Sequence, residues 1–344
     1  MYFLQGLVFA FCREVLYTDL TMGKNFWREL PRPFFALAPM AGVTDTVFRQ
    51  IIARRAKPDV FWTEFVSCDG LCSRGREALL RDLQFSDIER PIVAQVFGAT
   101  LEHFFETAKL VASLGFDGID INMGCPDKAV VAQGAGAALI RTPKLAQEII
   151  EVTKEGIASA GSSIPLSVKT RTGFDRDELE TWISLLLDAK LDALTVHART
   201  KKEMSDVPAR WDDVARVVRM AKGTETIIIG NGDVRDLADA KQKANETSVD
   251  GVMLGRAIFG NPWAFERSEK IPTVEEKLRA LVEHTRLYEE TWETSKSFDL
   301  MKKHYKAYAN GFPDASDLRV RLMACRDADE VTRIVEDFLR TTPL

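Results

Sequence analysis

Cysteine is scarce in this 344-residue chain. There are five, an odd number, spread too thinly to staple a fold of this length. That excludes a disulfide scaffold and points to a reducing compartment. Long apolar runs are also missing: none approaches the roughly 18–20 residues that a membrane-crossing helix needs. The one apolar stretch, Met1–Cys12, is short, has no basic residues ahead of it and no small-residue cleavage site behind it. A secretory leader therefore fits poorly. Residues 1–21 read as an extension, Met22 as a plausible start, and the expected location is cytoplasmic. A cationic excess is the third absence. With 46 Lys and Arg against 51 Asp and Glu, the net charge is −5, which argues against coating nucleic acid by charge alone. What is left is a globular composition, 46% hydrophobic, long enough for one large domain or two modest ones.

The middle of the chain repeats one pattern: a short β-branched run ending in Gly, Asn or a charged group, then an amphipathic helical stretch. The runs are Phe34–Met40, Val60–Val66, Pro91–Gly98, Gly118–Gly124, Pro165–Arg171, Ala193–Arg199, Thr226–Gly232 and Gly251–Ala257. Helical patterns between them include Leu101–Leu114, Pro143–Ala160, Asp177–Lys190 and Asp212–Ala221. Eight such runs predict a (β/α)8 TIM barrel, an α/β fold. A doubly wound open sheet would show a glycine-rich turn after its first strand, and Ala-Gly-Val-Thr-Asp follows Met40 instead. From about Val274 onward the strand signal stops. Val274–Thr294, Phe298–Ala309, Ala315–Ala324 and Ala328–Arg340 read as helices, a small C-terminal all-helical domain. The expected division is an extension over 1–33, a barrel over 34–268 and a helical domain over 272–344.

Polar residues fall at the C-terminal ends of the runs, the face that carries the active site in a parallel barrel. Glu64, Gln95, Asn122, Lys169, Arg171, His197, Arg199 and Asn231 are expected to ring that mouth. In Asn122-Met-Gly-Cys-Pro126, Gly124 and Pro126 dictate a turn that presents Cys125. A lone Cys is often structural; one on a turn at the mouth is a candidate nucleophile or acid. Cys68 and Cys72 have no second pair to complete a zinc site, so no metal is expected. Gly230-Asn-Gly-Asp233 and Gly255-Arg256, after the last two strands, suit a phosphate cup. Lys169 is either a Schiff-base nucleophile or a fixed cation for an anionic ligand, with Arg171 on the same strand face. His197 suits a phosphate or a carbonyl. A cofactor with a phosphate and a ring that gathers negative charge would use these parts together, and flavin mononucleotide (FMN) fits.

The series Ala38-Pro-Met-Ala-Gly-Val-Thr-Asp45, Asp120-Ile-Asn-Met-Gly-Cys-Pro126, Val168-Lys-Thr-Arg-Thr-Gly173, Thr195-Val-His-Ala-Arg-Thr200, Asn231-Gly-Asp233 and Leu254-Gly-Arg-Ala257 resembles the signature series of the tRNA-dihydrouridine synthases. The tail Met301-Lys-Lys-His-Tyr-Lys306 is similar to that family's helical tRNA-binding domain. The resemblance spans about residues 34–344. It implies an FMN barrel that reduces the C5–C6 double bond of selected tRNA uridines with NADPH or NADH. Pro39, Met40, Ala41, Gln95, Lys169, His197, Asn231, Gly232, Asp233, Gly255 and Arg256 would bind FMN. Cys125 would protonate C5 as catalytic acid. Asn122, Arg171, Arg199, Lys302 and Lys303 would meet the tRNA substrate, and the protein is expected to act as a monomer. Lys201–Trp211 is expected to shape the substrate site.

Other readings share some of these parts. A small-molecule FMN barrel, of the dihydroorotate dehydrogenase kind, would share the cup without needing the helical domain. A Schiff-base aldolase would use Lys169 and lack flavin colour. Counted by region, Phe265–Leu344 holds 14 Lys and Arg against 16 Asp and Glu, so RNA recognition there must come from where charges sit.

Overall fold

The computed structural model describes residues 25–268 and 270–342. The expected extension therefore lies outside the described residues up to position 24. Nine parallel strands form the sheet: β1 (Phe34–Leu37), β2 (Phe61–Trp62), β3 (Val66–Ser67), β4 (Ile92–Phe97), β5 (Gly118–Met123), β6 (Leu166–Arg171), β7 (Ala193–His197), β8 (Ile227–Asn231) and β9 (Gly251–Leu254). Their order is β1-β9-β8-β7-β6-β5-β4-β2, with β3 also on β4. A parallel bridge between Ala36 and Val60 closes the ring. The result is a TIM barrel, as the eight runs predicted. One run behaves differently. Val60–Val66 breaks into two short strands on β4, Phe61–Trp62 and Val66–Ser67, with the Thr63 N–H the last backbone donor of the first to reach β4.

The barrel interior is built in layers by strand alternation. Phe34, Ala36, Val60, Trp62, Val93, Ala193, Ile229 and Met253 form an apolar cluster in its lower and middle part. The floor is closed by residues that sequence patterning assigned to the extension. Phe26–Arg28 makes one 3-10 turn, capped by the Asn25 side chain. That turn drives Trp27 into the barrel, fully buried, with ring centroids 5.6 Å from Trp62 and 5.9 Å from Phe34. Arg32 donates to the Trp27 carbonyl at 3.0 Å, and Asn25 donates to Asp192. Residues 25–28 thus pack under the barrel ahead of β1. Small residues at the bottom of the strands, Gly118 and Gly251, leave the room that Phe26 and Phe34 fill.

The C-terminal domain is helical as expected: Val274–Trp292, a 3-10 turn at Phe298–Met301 running into Lys302–Tyr308, then Ala315–Met323 and Ala328–Thr341. A capping box, Thr273 with Glu276, starts the first helix. Its core (Leu278, Leu281, Trp292, Met301, Tyr305, Leu322, Val335 and others) includes Val47 and Trp263 from the barrel side. The domain is docked on the barrel helix Thr46–Arg55. Phe48 stacks on His284 at 5.0 Å, Trp292 donates to Asp45 at 3.1 Å, and Glu283 pairs with Arg54 and Arg55. No helix among the described residues is long and apolar enough to cross a membrane.

Replacing Trp27 with Ala should cost about 3–5 kcal/mol of stability, the range for emptying a large aromatic site in a core. Denaturant titration checks this; a loss below about 1 kcal/mol, normal for surface sites, would show that the floor does not hold the barrel.

Candidate active site

The uppermost inward layer of the barrel is polar. Strand pairing sets Gln95 opposite Asp120, Asn122 opposite Lys169, Arg171 opposite His197, and His197 opposite Asn231. Sequence alternation therefore brings Gln95, Asn122, Lys169, His197 and Asn231 together at the mouth, as expected. The Lys169 ammonium lies 3.3 Å from Asn231 Oδ1, its one hydrogen bond among the described residues. Burial and the Arg171 cation push its pKa down to about 8, against the pull of Asp120 and Cys125. It stays mostly protonated near neutrality. A half-buried cation with so few partners is a site for an anionic group. Burial and the surrounding cations hold His197 well below the ordinary histidine range, so it is neutral.

The Cys125 turn is held from both sides. Asn122 Oδ1 accepts the N–H groups of Gly124 at 3.1 Å and Cys125 at 2.8 Å. The Cys125 carbonyl accepts the Ala137 N–H at 3.0 Å. Gly136 makes that approach possible: its φ is +59°, and a Cβ there would lie 2.9 Å from the Cys125 carbonyl oxygen and 2.8 Å from Val130. Asp127 caps the helix that follows, accepting from Ala129 and Val130. Burial raises the thiol pKa, with Asp127 adding to it and its backbone hydrogen bond, Arg171 and Lys169 opposing. Cys125 is thus a neutral thiol at physiological pH, disposed to give a proton rather than to attack. It is half-buried and free of any disulfide. Cys68 is free and buried, its thiol pushed far up by burial. No metal-binding group of His, Cys, Asp and Glu occurs among the described residues.

The loops after β8 and β9 come together as expected. Gly232 has φ +126°, and a Cβ there would press on Ala209 at 2.8 Å and His197 at 3.1 Å, so the loop is restricted to glycine. Trp211 Nε1 donates to the Gly232 carbonyl at 2.8 Å from below. Arg256 is largely exposed and pairs with Asp233 at 2.7 Å. Against burial, hydrogen bonds from Arg199 and the Ala209 N–H hold Asp233 below the usual carboxylate range.

Three expectations change. Arg171, 6% exposed, donates to the carbonyls of Gly124 (2.8 Å), Thr200 (3.0 Å) and Met204 (3.3 Å). Arg199, 2% exposed, pairs with Asp233 and donates to the Val207 carbonyl at 2.6 Å. Arg199 and the Nε and Nη1 groups of Arg171 are engaged in pinning the 200–211 segment to the mouth, while Arg171 Nη2 makes no hydrogen bond among the described residues. The third is the basic cluster at 302–306. Helical periodicity turns His304 into the core at 4% exposure, leaving Lys306 exposed. Lys302 pairs with Asp299 at 2.5 Å. Lys303 is half-buried, and its Nζ would lie 3.2 Å from a Cβ at Gly42, in the loop after β1. That lysine faces the barrel mouth rather than open solvent. Asp120, Thr63 and Ser167 were missed. Asp120 lies two residues before Asn122 on one strand, so alternation alone could have placed its carboxylate inside the barrel.

A parallel α/β barrel with a polar upper layer and a cysteine turn at its mouth defines a TIM-barrel enzyme scaffold. The model of the dihydrouridine synthase (Dus) family matches residues 36–342. A probable tRNA-dihydrouridine synthase 2 of Bacillus subtilis (strain 168) is 40% identical over 324 residues, covering 93% of this chain and 98% of that protein. A probable tRNA-dihydrouridine synthase of Staphylococcus aureus (strain MRSA252) is 39% identical over 322 residues, covering 92% and 96%. The chain belongs to the dihydrouridine synthase family. Among solved structures, histamine dehydrogenase from Rhizobium sp. 4-9 is similar at TM-score 0.53 and 12% identity, covering 74% of this chain and 48% of that one. A 2-naphthoyl-CoA reductase complex is similar at TM-score 0.51 and 9% identity, covering 68% and 49%. At these identities the likeness is one of fold.

The raised thiol pKa has a measurable consequence. The rate at which iodoacetamide alkylates Cys125, followed on its peptide by mass spectrometry, should rise with pH and show its midpoint above the ordinary free-thiol value of about 8.5. A plateau reached below pH 7 would mean a stabilised thiolate and contradict the acid assignment.

Proposed function

We propose that this chain binds FMN in the barrel mouth and reduces the C5–C6 double bond of a uridine in tRNA, with NADPH or NADH as electron donor. The observation that carries the reading is the pairing of a neutral thiol on a locked turn with a half-buried ammonium across the same mouth, in a chain of this family. The residues fit the cofactor. Lys169 has room for an anionic partner, and the glycine-restricted loop at 231–233 and the loop at 255–256 bring backbone to the rim. Asn231, Gly232, Asp233, Gly255 and Arg256 would hold the phosphate, with Arg256 shared between it and Asp233. Pro39, Met40, Ala41, Gln95, His197 and Lys169 would bound the ring.

When bound and reduced, the flavin supplies a hydride to C6 of the uracil. The work of the chain is to manage the charge and the proton. Hydride addition at C6 places negative charge on C5 and the C4 carbonyl. Cys125 Sγ–H gives its proton to C5, and the C5–H bond forms as the S–H bond breaks. The thiolate so formed is stabilised by Lys169 and Arg171, the two cations that bear on it. Asn122, its carboxamide oxygen committed to the turn, keeps one N–H for the uracil edge. The uridine must leave its stack to reach this depth. Lys303, beside Gly42 at the mouth, and the exposed Lys306 would meet the RNA backbone.

Cys125→Ala should keep its flavin, read by visible absorbance, while dihydrouridine formation falls by about 100-fold or more, the scale of a lost general acid. Full activity in that variant would remove Cys125 from the reaction.

A further inference from the structure

Asp120 is fully buried below the mouth and touches none of the groups assigned to substrate or cofactor except Gln95. Its Oδ1 accepts from Ser167 Oγ at 2.6 Å and its Oδ2 from Gln95 Nε2 at 2.7 Å. Gln95 Oε1 in turn accepts from Asn122 Nδ2 at 3.0 Å. Asn122 Oδ1, at the other end of that amide, accepts from the backbone of Gly124 and Cys125. The Gln95 backbone is tied separately, its N–H to Thr63 Oγ1 at 3.0 Å. The four residues form one continuous chain of hydrogen bonds from the barrel interior to the cysteine turn.

The chain has a direction. An amide side chain works equally well either way round unless a neighbour is restricted to one role. An ionised carboxylate can only accept. It therefore obliges Gln95 to point its NH2 inward and its oxygen toward Asn122. That obliges Asn122 to offer its NH2 to Gln95 and its oxygen to the turn. If Asn122 were reversed, its NH2 would face two N–H donors and both bonds to the turn would be lost.

We propose that Asp120 is a positioning residue, whose carboxylate sets the polarity of the Gln95–Asn122 relay and thereby fixes the backbone that presents Cys125. The consequence for catalysis rests on the reading of Cys125 as the acid; the relay itself does not. Burial raises the Asp120 pKa to about 6, with Ser167, Gln95 and Lys169 opposing, so the acceptor-only form prevails above that pH.

The test compares Asp120→Asn, Gln95→Leu and Ser167→Ala in the full chain at matched flavin occupancy. Asn at 120 can donate as well as accept, so it abolishes the polarity; Leu at 95 interrupts the relay but keeps the carboxylate. Ser167→Ala removes the other hydrogen bond to the same carboxylate and leaves the relay whole. The readout is alkylation of Cys125 by iodoacetamide, resolved by peptide mass spectrometry. Asp120→Asn and Gln95→Leu should each speed it by about tenfold, the size expected from freeing a turn held by two ordinary hydrogen bonds. Ser167→Ala should stay within about twofold of the parent, the effect of a hydrogen bond outside the relay. A further variant, Asp120→Asn with Gln95→Glu, puts the acceptor-only group one place higher and should bring the slow rate back. Acceleration in Asp120→Asn without any in Gln95→Leu would trace the effect to lost charge and overturn the relay. Equal acceleration in all three would mean general loosening and overturn it too, as would no change in any. Should Asp120→Asn fail to fold, Gln95→Leu against Ser167→Ala decides alone. An inactive Cys125→Ala chain alongside unchanged alkylation in the relay variants would leave the acid role standing and remove the relay. An active Cys125→Ala chain with the predicted alkylation pattern would do the reverse.

Discussion

The constraint on which this site depends is a cation kept inside a protein. Partly burying the Lys169 ammonium is costly unless nearby charge and dipoles answer it. Asp120 lies below it and Asn231 beside it, with the Cys125 sulfur near. Arg171 works against it, and its own guanidinium bonds through Nε and Nη1 to three backbone carbonyls rather than to a carboxylate. The balance leaves the ammonium charged but short of partners. It also depends on His197 staying neutral, which the same cations ensure.

The second requirement is precision at the thiol. The acid role proposed for Cys125 would act over hydrogen-bond distances, so a loose turn would squander it. Here the turn is bound above by Asn122 and below by the Gly134–Ala137 loop, with Gly136 in a conformation that side chains avoid. The arginines that line the mouth serve the same end at one remove. Arg171 ties Gly124 to the 200–211 segment, and Arg199 ties that segment to Asp233 at the loop after β8. The 231–233 loop, the 200–211 segment and the Cys125 turn are thereby one connected unit. The helical domain joins it through Lys303 at Gly42, whose N–H is bonded to the buried carboxylate of Glu64.

Much of this was legible in the residues. Alternation along parallel strands is rigid, so the polar ends at Gln95, Asn122, Lys169, His197 and Asn231 had to share one mouth once eight strands were counted. The helical periodicity after Val274 was equally plain. What escaped was non-local or saturating. Trp27 sits in a stretch with no strand pattern, and only the closed barrel shows a floor for it to fill. Arg171 and Arg199 stand on the expected face, yet their role is decided by carbonyls of a loop that folds back over them. The run Lys302–Lys306 reads in sequence as a cluster of basic residues on one helix. A helix of that pitch sends His304 inward, where it meets Phe48 and His284. Val60–Val66 read as one strand because hydropathy does not report where a ladder is interrupted. Asp120 opens the Asp120–Pro126 series but received no role, because a lone acid in an apolar strand does not show what it will meet across the barrel.

The central claim is that the electrons delivered to this mouth end on a uridine in tRNA. The direct measurement is to incubate unmodified tRNA with the flavin-loaded chain and NADPH, then quantify nucleosides by mass spectrometry beside the NADPH consumed. The account predicts dihydrouridine at a discrete tRNA position, rising in step with NADPH oxidation. NADPH oxidation that leaves the tRNA unchanged while a small unsaturated compound is reduced would contradict it.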